Sequence, residues 1–122
     1  MQKKESFLIN RLKSLSFALK GMLILFKTEA SIKVQLFIAF AVTIAGFYFE
    51  ISKMEWIAQL IMIGMVLSVE GINTAIEYIA DFIHPEYHEK IGLIKDIAAG
   101  AVFIASIIAM IIAGIIYLPK IF

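Results

Sequence analysis

The chain has 122 residues and a formal net charge of +1, with 61% of its residues hydrophobic and 17% charged. This length predicts one domain, over residues 1–122, and soluble domains have only about 45–50% apolar residues. The absence of cysteine excludes disulfides and thiolate metal sites, and the near-neutral charge gives no indication of nucleic-acid binding. The class that remains is a small integral membrane protein.

An amphipathic stretch lies at about residues 6–27. Lys13, Lys20 and Lys27 recur every seven residues, so on a helix they stay within one stripe that drifts by about 20° per heptad. Apolar side chains can form the opposite side, which is the pattern of a helix lying in the membrane interface. A cleavable signal peptide is the alternative, but no A-x-A site follows the apolar run.

Three later stretches are apolar enough to cross a bilayer, which takes about 20 helical residues. The first, at about 34–49, is slightly short, and Lys33 together with the aromatic end of the stretch would let it reach across. The second, 56–80, is long enough but contains two glutamates, and the third, 97–118, has 22 residues without a charge. The sequence therefore predicts an all-α membrane protein with an N-terminal amphipathic surface helix plus three transmembrane helices.

The basic residues are distributed unevenly along this arrangement. Seven of the eleven precede the first span and two lie between the second and third, whereas the first loop and the C-terminal tail have one each. Because cytoplasmic loops are enriched in Lys and Arg, the N-terminus and the second loop are predicted to face the cytoplasm. Pro85 disfavours a helix at the preceding residue, so the second span is predicted to end near His84. His84 and His88 are then loop residues rather than metal ligands.

The second span carries polar side chains along one face. Asn73, Glu77 and Asp81 follow Glu70 at offsets of 3, 7 and 11 residues, which on a helix places all four within an arc of about 80°. Glu70 and Glu77 are about 10 Å apart along the axis, too far to share one metal ion but suited to two tasks at two depths. Ionisable groups in a span cost about 2.5–3.5 kcal/mol each, so they usually mark function.

Helix packing or a proton path is the alternative explanation of this face. Neither Glu70 nor Glu77 has an obvious cationic partner within the spans, which makes a bound cation the natural neutraliser. Lys95 and Asp96 stand at the start of the third span, where a helix N-terminus would add attraction for phosphates. Glu29 lies where the surface helix turns into the first span. Taken singly, Lys95 could be an interfacial anchor and Glu29 an ordinary surface acid.

Small residues form a ridge along the third span, where Ala101, Ala105, Ala109 and Ala113 recur every four residues. Such a ridge suits close packing between helices in a membrane. Because three short spans can enclose little of a polar site, we expect a homo-oligomer with its sites between protomers.

A long motif resembles the signature of the prokaryotic diacylglycerol kinase family, which includes undecaprenol kinases: Glu70-Gly-Ile-Asn-Thr-Ala-Ile-Glu77, then Asp81, then Lys95-Asp-Ile-Ala-Ala-Gly-Ala-Val102. The resemblance extends over nearly the whole chain. It implies a kinase that uses ATP and Mg²⁺ to phosphorylate the primary hydroxyl of a membrane lipid, either diacylglycerol or undecaprenol. It also implies a homotrimer in the bacterial cytoplasmic membrane, with active sites shared between protomers.

The same resemblance implies roles for individual residues. Glu70 is the general base that takes the proton from the lipid hydroxyl, and Asn73 is the amide beside the carboxylates. Glu29 and Glu77 hold the divalent cation on the ATP phosphates. The nucleotide-binding positions implied in this way are Arg11, Glu29, Glu77, Lys95 and Asp96.

Two positions depart from the family pattern. Gln35 stands where some members carry a glutamate, which removes a charge from the N-terminal part of the site. Ile94 stands before Lys95 where alanine is common, and it narrows the packing near the nucleotide. The segment 116–121 and the Glu55-Trp56 pair look more like the undecaprenol kinase branch, but both lipids offer a primary hydroxyl, so both substrates stay open.

Two other classes of function compete with a kinase. A small proton- or cation-coupled transporter would use Glu70 as its membrane carboxylate, but it has no need of Glu29, Lys95 and Asp96 at one membrane face. Only the kinase should gain thermal stability with Mg-ATP. A structural subunit that binds a partner through the alanine ridge predicts that Glu70→Gln is harmless.

Overall fold

A computed structural model describes residues 6–122 as four helices, with no strand in that range: α1 (Phe7–Thr28), α2 (Ala30–Tyr48), α3 (Lys53–Ile83) and α4 (Glu89–Ile121). The predicted all-α fold is confirmed. The helices α2, α3 and α4 are each long and apolar enough to cross a membrane. The second and third predicted spans lie inside α3 and α4, whereas the first, 34–49, begins four residues after the start of α2 and ends one residue beyond it.

The surface helix α1 forms at the residues where the amphipathic pattern predicts it. Ser6 caps its N-terminus, with the side-chain oxygen accepting a hydrogen bond from the backbone N–H of Ile9 at 3.2 Å. The helix ends at Thr28, because Glu29 adopts an extended backbone. None of the residues of α1 is buried, so its apolar side is free to face a membrane interface or another chain.

A tight turn joins α2 to α3. Glu50 occupies the left-handed region at φ 51°, and Ser52 begins α3 with a capping box shared with Glu55. The ring of Trp56 packs against Gly46 so closely that a Cβ atom added at that glycine would lie 2.7 Å from the ring. This close approach holds α2 and α3 together at their joined ends.

The loop between α3 and α4 includes Pro85, and α3 ends at Ile83 as the sequence predicts. His84 and His88 both lie in this loop, where the His88 Nδ1 atom accepts a hydrogen bond from the backbone of Lys90. The helix α4 then begins at Glu89. The expectation that Lys95 stands at a helix N-terminus is therefore wrong, because a charged, polar segment extends α4 by more than a turn before the apolar span.

The helices α3 and α4 form an antiparallel hairpin, and α2 packs on α3. Small side chains permit this: Ala98 is buried, and so is Ala105 of the alanine ridge, whereas Ala101 of the ridge is exposed. Large apolar side chains cover the outer surfaces of α2, α3 and α4, as a bilayer requires. Between the three helices a groove of about 520 Å³ remains open.

Candidate active site

The polar face of α3 runs from the interior of the protein to its surface. Glu70 and Asn73 are 7% and 8% exposed, Glu77 is half-buried, and Asp81 is exposed. The predicted face therefore has one deep end, near the middle of the span, and one end open to the aqueous side. A reaction between a membrane-bound and a water-soluble substrate needs this kind of gradient.

At the deep end, Glu70 is held by a neutral partner from α2. The Gln35 Nε2 atom donates a hydrogen bond to the Glu70 Oε2 atom at 3.2 Å. No cationic side chain forms an ion pair with Glu70 in the part of the chain that the structure describes. The position that departs from the family pattern thus supplies the contact that orients this carboxylate.

Two amide oxygens next to this carboxylate lack partners. The Asn73 Oδ1 atom and the Gln35 Oε1 atom are buried without a hydrogen bond from any described residue. A buried polar group without a partner costs about 1–3 kcal/mol in proteins. The two oxygens are therefore positions at which a bound substrate can donate a hydrogen bond.

Glu29 reaches the same face from the junction of α1 and α2. Its Oε1 atom accepts a hydrogen bond from the Tyr78 hydroxyl at 2.7 Å, and Tyr78 directly follows Glu77 on α3. The last turns of α1 also approach α3, since a Cβ atom added at Gly71 would lie 3.0 Å from the Leu25 side chain. These contacts hold Glu29 against α3, beside the residue that follows Glu77.

The carboxylates Glu29 and Glu77 fit a metal that arrives with a nucleotide. Within residues 6–122 no group of three or more His, Cys, Asp or Glu residues could hold a metal ion by itself. Mg²⁺ needs no such cage, since it is usually bound through one or two carboxylates together with substrate phosphates and water. Glu29 and Glu77 are carboxylates of the type that this mode uses.

At the open end of the face, α4 supplies a cation. The Lys95 Nζ atom forms an ion pair with the Asp81 Oδ1 atom at 2.6 Å. This contact fixes the lysine above the polar face of α3, one turn beyond Glu77. Asp96, the next residue, is exposed.

Arg11 is not brought to this site by its own chain. It lies on the exposed surface of α1, with its guanidinium 5.6 Å from the ring centre of Phe7. The helix places it about 27 Å from Glu29 along the axis. The structure thus joins Glu29 to Tyr78 on α3 but leaves Arg11 apart from both.

Sequence reasoning missed three contacts of the site. It noted Gln35 only as a departure, and it overlooked both the Tyr78 hydrogen bond to Glu29 and the pairing of Asp81 with Lys95. The sequence does indicate the α3 members of two of these contacts: Tyr78 is next to Glu77, and Asp81 is one turn farther along the same face. Their partners come from other helices, which no spacing within α3 reveals.

Comparisons with known proteins identify the family. A profile of the family described as prokaryotic diacylglycerol kinase matches residues 16–117. An undecaprenol kinase from Bacillus subtilis is 39% identical over 88% of this chain and 88% of its own length. A diacylglycerol kinase from Haemophilus influenzae is 31% identical over 91% of this chain and 94% of its own. One from Synechocystis is 32% identical over 90% of this chain, which spans 63% of that relative. The chain belongs to the prokaryotic diacylglycerol kinase family and is a membrane-embedded lipid kinase.

Proposed function

We propose that this lipid kinase transfers the γ-phosphate of ATP, with Mg²⁺, to the primary hydroxyl of undecaprenol. The observation that carries the proposal is the polar face of α3, with a buried carboxylate at its deep end and an anchored lysine at its open end. A lipid hydroxyl can reach the buried carboxylate, and a nucleotide from water can reach the lysine.

Glu70 acts as the general base. Its carboxylate accepts the proton of the lipid hydroxyl while the hydroxyl oxygen forms its bond to the γ-phosphorus, and ADP leaves with the electrons of the broken P–O bond. The hydrogen bond from Gln35 keeps the carboxylate in place. The unpartnered Asn73 oxygen, one turn along α3, is a further hydrogen-bond acceptor beside this carboxylate.

The nucleotide lies toward the open end of the face. Glu29 and Glu77 hold Mg²⁺, which when bound neutralises phosphate charge. Lys95 leaves Asp81 to contact a phosphate oxygen as a point charge, and Asp96 lies beside it. Phosphoryl transfer depends mainly on this neutralisation and on in-line positioning.

Arg11 contributes to the nucleotide site of a second copy of the chain. Its distance from Glu29 within one protomer supports this, as does the exposed apolar side of α1. We therefore propose a homotrimer with composite sites, each protomer being a single domain over residues 1–122. By the distribution of lysine and arginine, the N-terminus faces the cytoplasm of a bacterial cell and the protein resides in its cytoplasmic membrane.

Undecaprenol is proposed ahead of diacylglycerol because the match to the undecaprenol kinase is stronger, at 39% identity against 31% and 32% for two diacylglycerol kinases. Diacylglycerol remains the second candidate, because those relatives match equally long parts of the chain. The transporter and structural-subunit hypotheses have no such support.

The test is phosphate transfer from labelled ATP by the purified protein in detergent micelles, with each lipid offered separately, with and without Mg²⁺. We expect labelled undecaprenyl phosphate that depends on Mg²⁺ and disappears in Glu70→Gln. Glu55→Gln is the matched control, since it makes the same change at the other end of α3. Exclusive labelling of diacylglycerol would overturn the substrate assignment, and full activity in Glu70→Gln would overturn the base.

A further inference from the structure

The groove between α2, α3 and α4 begins at the candidate active site. Gln35, Glu70 and Ser106 line one end of it, and Val42, Gln59 and Ile116 line the other. Between these ends the lining is almost entirely apolar, with small residues such as Ala109 and Ala113 contributed by α4. The groove is therefore an apolar channel that leads away from the carboxylate proposed to receive a lipid hydroxyl.

The length of the groove matches one lipid tail. Gln59 precedes Glu70 by eleven positions on α3, which corresponds to about 16 Å along a helix. The hydrocarbon core of a bilayer is about 30 Å thick, so one leaflet is about 15 Å deep. An extended tail whose hydroxyl lies at Glu70 would therefore reach Gln59 after a length similar to the depth of one leaflet.

The far end of the groove is closed by a hydrogen-bonded polar cluster. The Gln59 side chain is 5% exposed, its Nε2 atom donates to the Val42 carbonyl oxygen at 3.2 Å, and its Oε1 atom accepts from the Tyr117 hydroxyl. The same hydroxyl lies 3.0 Å from the Val42 oxygen. All three helices thus contribute to this wall, and Gln59 is fixed across the end of the channel.

We propose that Gln59 is a specificity-determining residue for the lipid tail, closing the groove so that only the part of a tail between Glu70 and Gln59 is bound by the protein. Tyr117 is a positioning residue that holds Gln59 in place. This inference rests on the proposed function and deepens it: one tail of the alcohol lies in the groove, and any longer remainder leaves through the open side into the bilayer.

Hydrogen bonding between helices is the competing explanation of the cluster, since polar side chains often join helices in membranes. Two substitutions separate the explanations. Gln59→Leu and Gln59→Ala both remove the hydrogen bonds, but leucine keeps most of the side-chain volume and alanine opens the wall. A purely structural role predicts the same loss of thermal stability from both and no change in tail preference from either.

The experiment measures kcat/KM for a series of isoprenoid alcohols of increasing length, presented at equal mole fraction in micelles. In the unmodified protein we expect kcat/KM to rise with length until the tail spans the groove and then to stay constant. In Gln59→Ala the plateau moves to longer tails, with the preference for the longer alcohol over the shorter rising by about tenfold, the discrimination of one methylene in an apolar pocket. Gln59→Leu keeps the plateau, and Leu60→Ala, which truncates an exposed neighbour, is the control.

A plateau that Gln59→Ala leaves unchanged, or that Leu60→Ala moves equally, overturns the proposal. A second readout needs no phosphoryl transfer. A lipid alcohol with a photoreactive diazirine at the end of a groove-length tail should label Val42, Gln59 or Ile116. Labelling of outward-facing side chains such as Phe40 instead, as expected if a helix from a second copy fills the groove, overturns it. If no alcohol is phosphorylated, the proposed function fails, but the labelling still shows whether a lipid tail occupies the groove as far as Gln59.

Discussion

The two ends of the groove between α2, α3 and α4 both contain buried polar side chains, yet they differ in how those groups are satisfied. At the far end, Gln59 and Tyr117 satisfy each other and the Val42 carbonyl. At the active-site end, Gln35 reaches Glu70, but its own oxygen and that of Asn73 remain without partners.

This difference distinguishes polar groups that stabilise helix packing from polar groups that are available to bind a ligand. A satisfied cluster stabilises the packing of helices and tolerates only substitutions that preserve its shape. Unpartnered oxygens beside a carboxylate cost stability in the free protein, and a substrate that pairs with them recovers that cost. Substitutions at the active-site end should therefore lower turnover with every lipid, and those at the other end should lower stability and change the preference for tail length.

The largest effect is expected at Glu70. Glu70→Gln keeps the size of the side chain but removes the proton acceptor, so kcat should fall by about 10²–10⁴-fold. Labelled-phosphate transfer at saturating ATP and lipid measures this, and thermal unfolding in micelles confirms that the fold is intact. A loss of folding together with activity would contradict the assignment of Glu70 to turnover alone.

The next effect is expected at Lys95. It and Lys120 each form an ion pair with a carboxylate of α3, at opposite ends of the hairpin of α3 and α4. Lys95→Met should lower kcat/KM for ATP by about 10²-fold, because it removes a charge from the phosphate site. Asp81→Asn releases the lysine without removing it and should have a smaller effect. Lys120→Met makes the same change beside Glu55, 3.0 Å away, and should leave the KM for ATP unaltered. Equal effects of Lys95→Met and Lys120→Met on the kinetics with ATP would contradict the placement of the nucleotide at the Lys95 end of the hairpin.

Two glycine substitutions compare close packing with open space. Gly46→Ala places a methyl group against Trp56 and should lower the free energy of unfolding by about 1–3 kcal/mol. Gly64→Ala, on the interior of α3 with nothing within 4 Å, should raise it by up to about 1 kcal/mol because alanine favours the helix. Chemical unfolding in mixed micelles measures both. The two changes in the free energy of unfolding should have opposite signs, and a decrease at both positions would contradict this packing.

The smallest effect is expected from the ion pair between Lys120 and Glu55. Lys120→Met should lower the free energy of unfolding only slightly, as is typical of exposed pairs. The difference should shrink as salt is added, because ions screen exposed charges. Unfolding measured at low and high ionic strength tests this, and a difference that does not depend on salt would assign the effect to packing.

Much of the architecture could be predicted because bilayer thickness and helical period constrain it strongly. Uncharged length locates the third span, and the 3.6-residue period places Glu70, Asn73 and Glu77 on one face. The start of α4 at Glu89 was missed, because charged residues can extend a helix beyond the bilayer without an apolar signal.

Contacts between helices are harder to predict from a sequence than the helices themselves. The hydrogen bond from Gln35 to Glu70 joins residues 35 positions apart, and that between Tyr117 and Gln59 joins residues 58 apart. Both depend on the rotation of each helix about its own axis, which a nearly uniform apolar surface in lipid does not specify. The spacing within α3 thus locates a site whose supporting side chains come from elsewhere.

Glu29 is the single residue between α1 and α2, and it is also the proposed Mg²⁺ ligand nearest the surface helix. One peptide unit therefore sets both the angle at which α1 leaves the first span and the position of a metal-binding oxygen. Under the proposed role of Glu29, the orientation of α1 on the membrane surface and the affinity for nucleotide are coupled. By thermodynamic linkage, each changes the free energy of the other by the same amount.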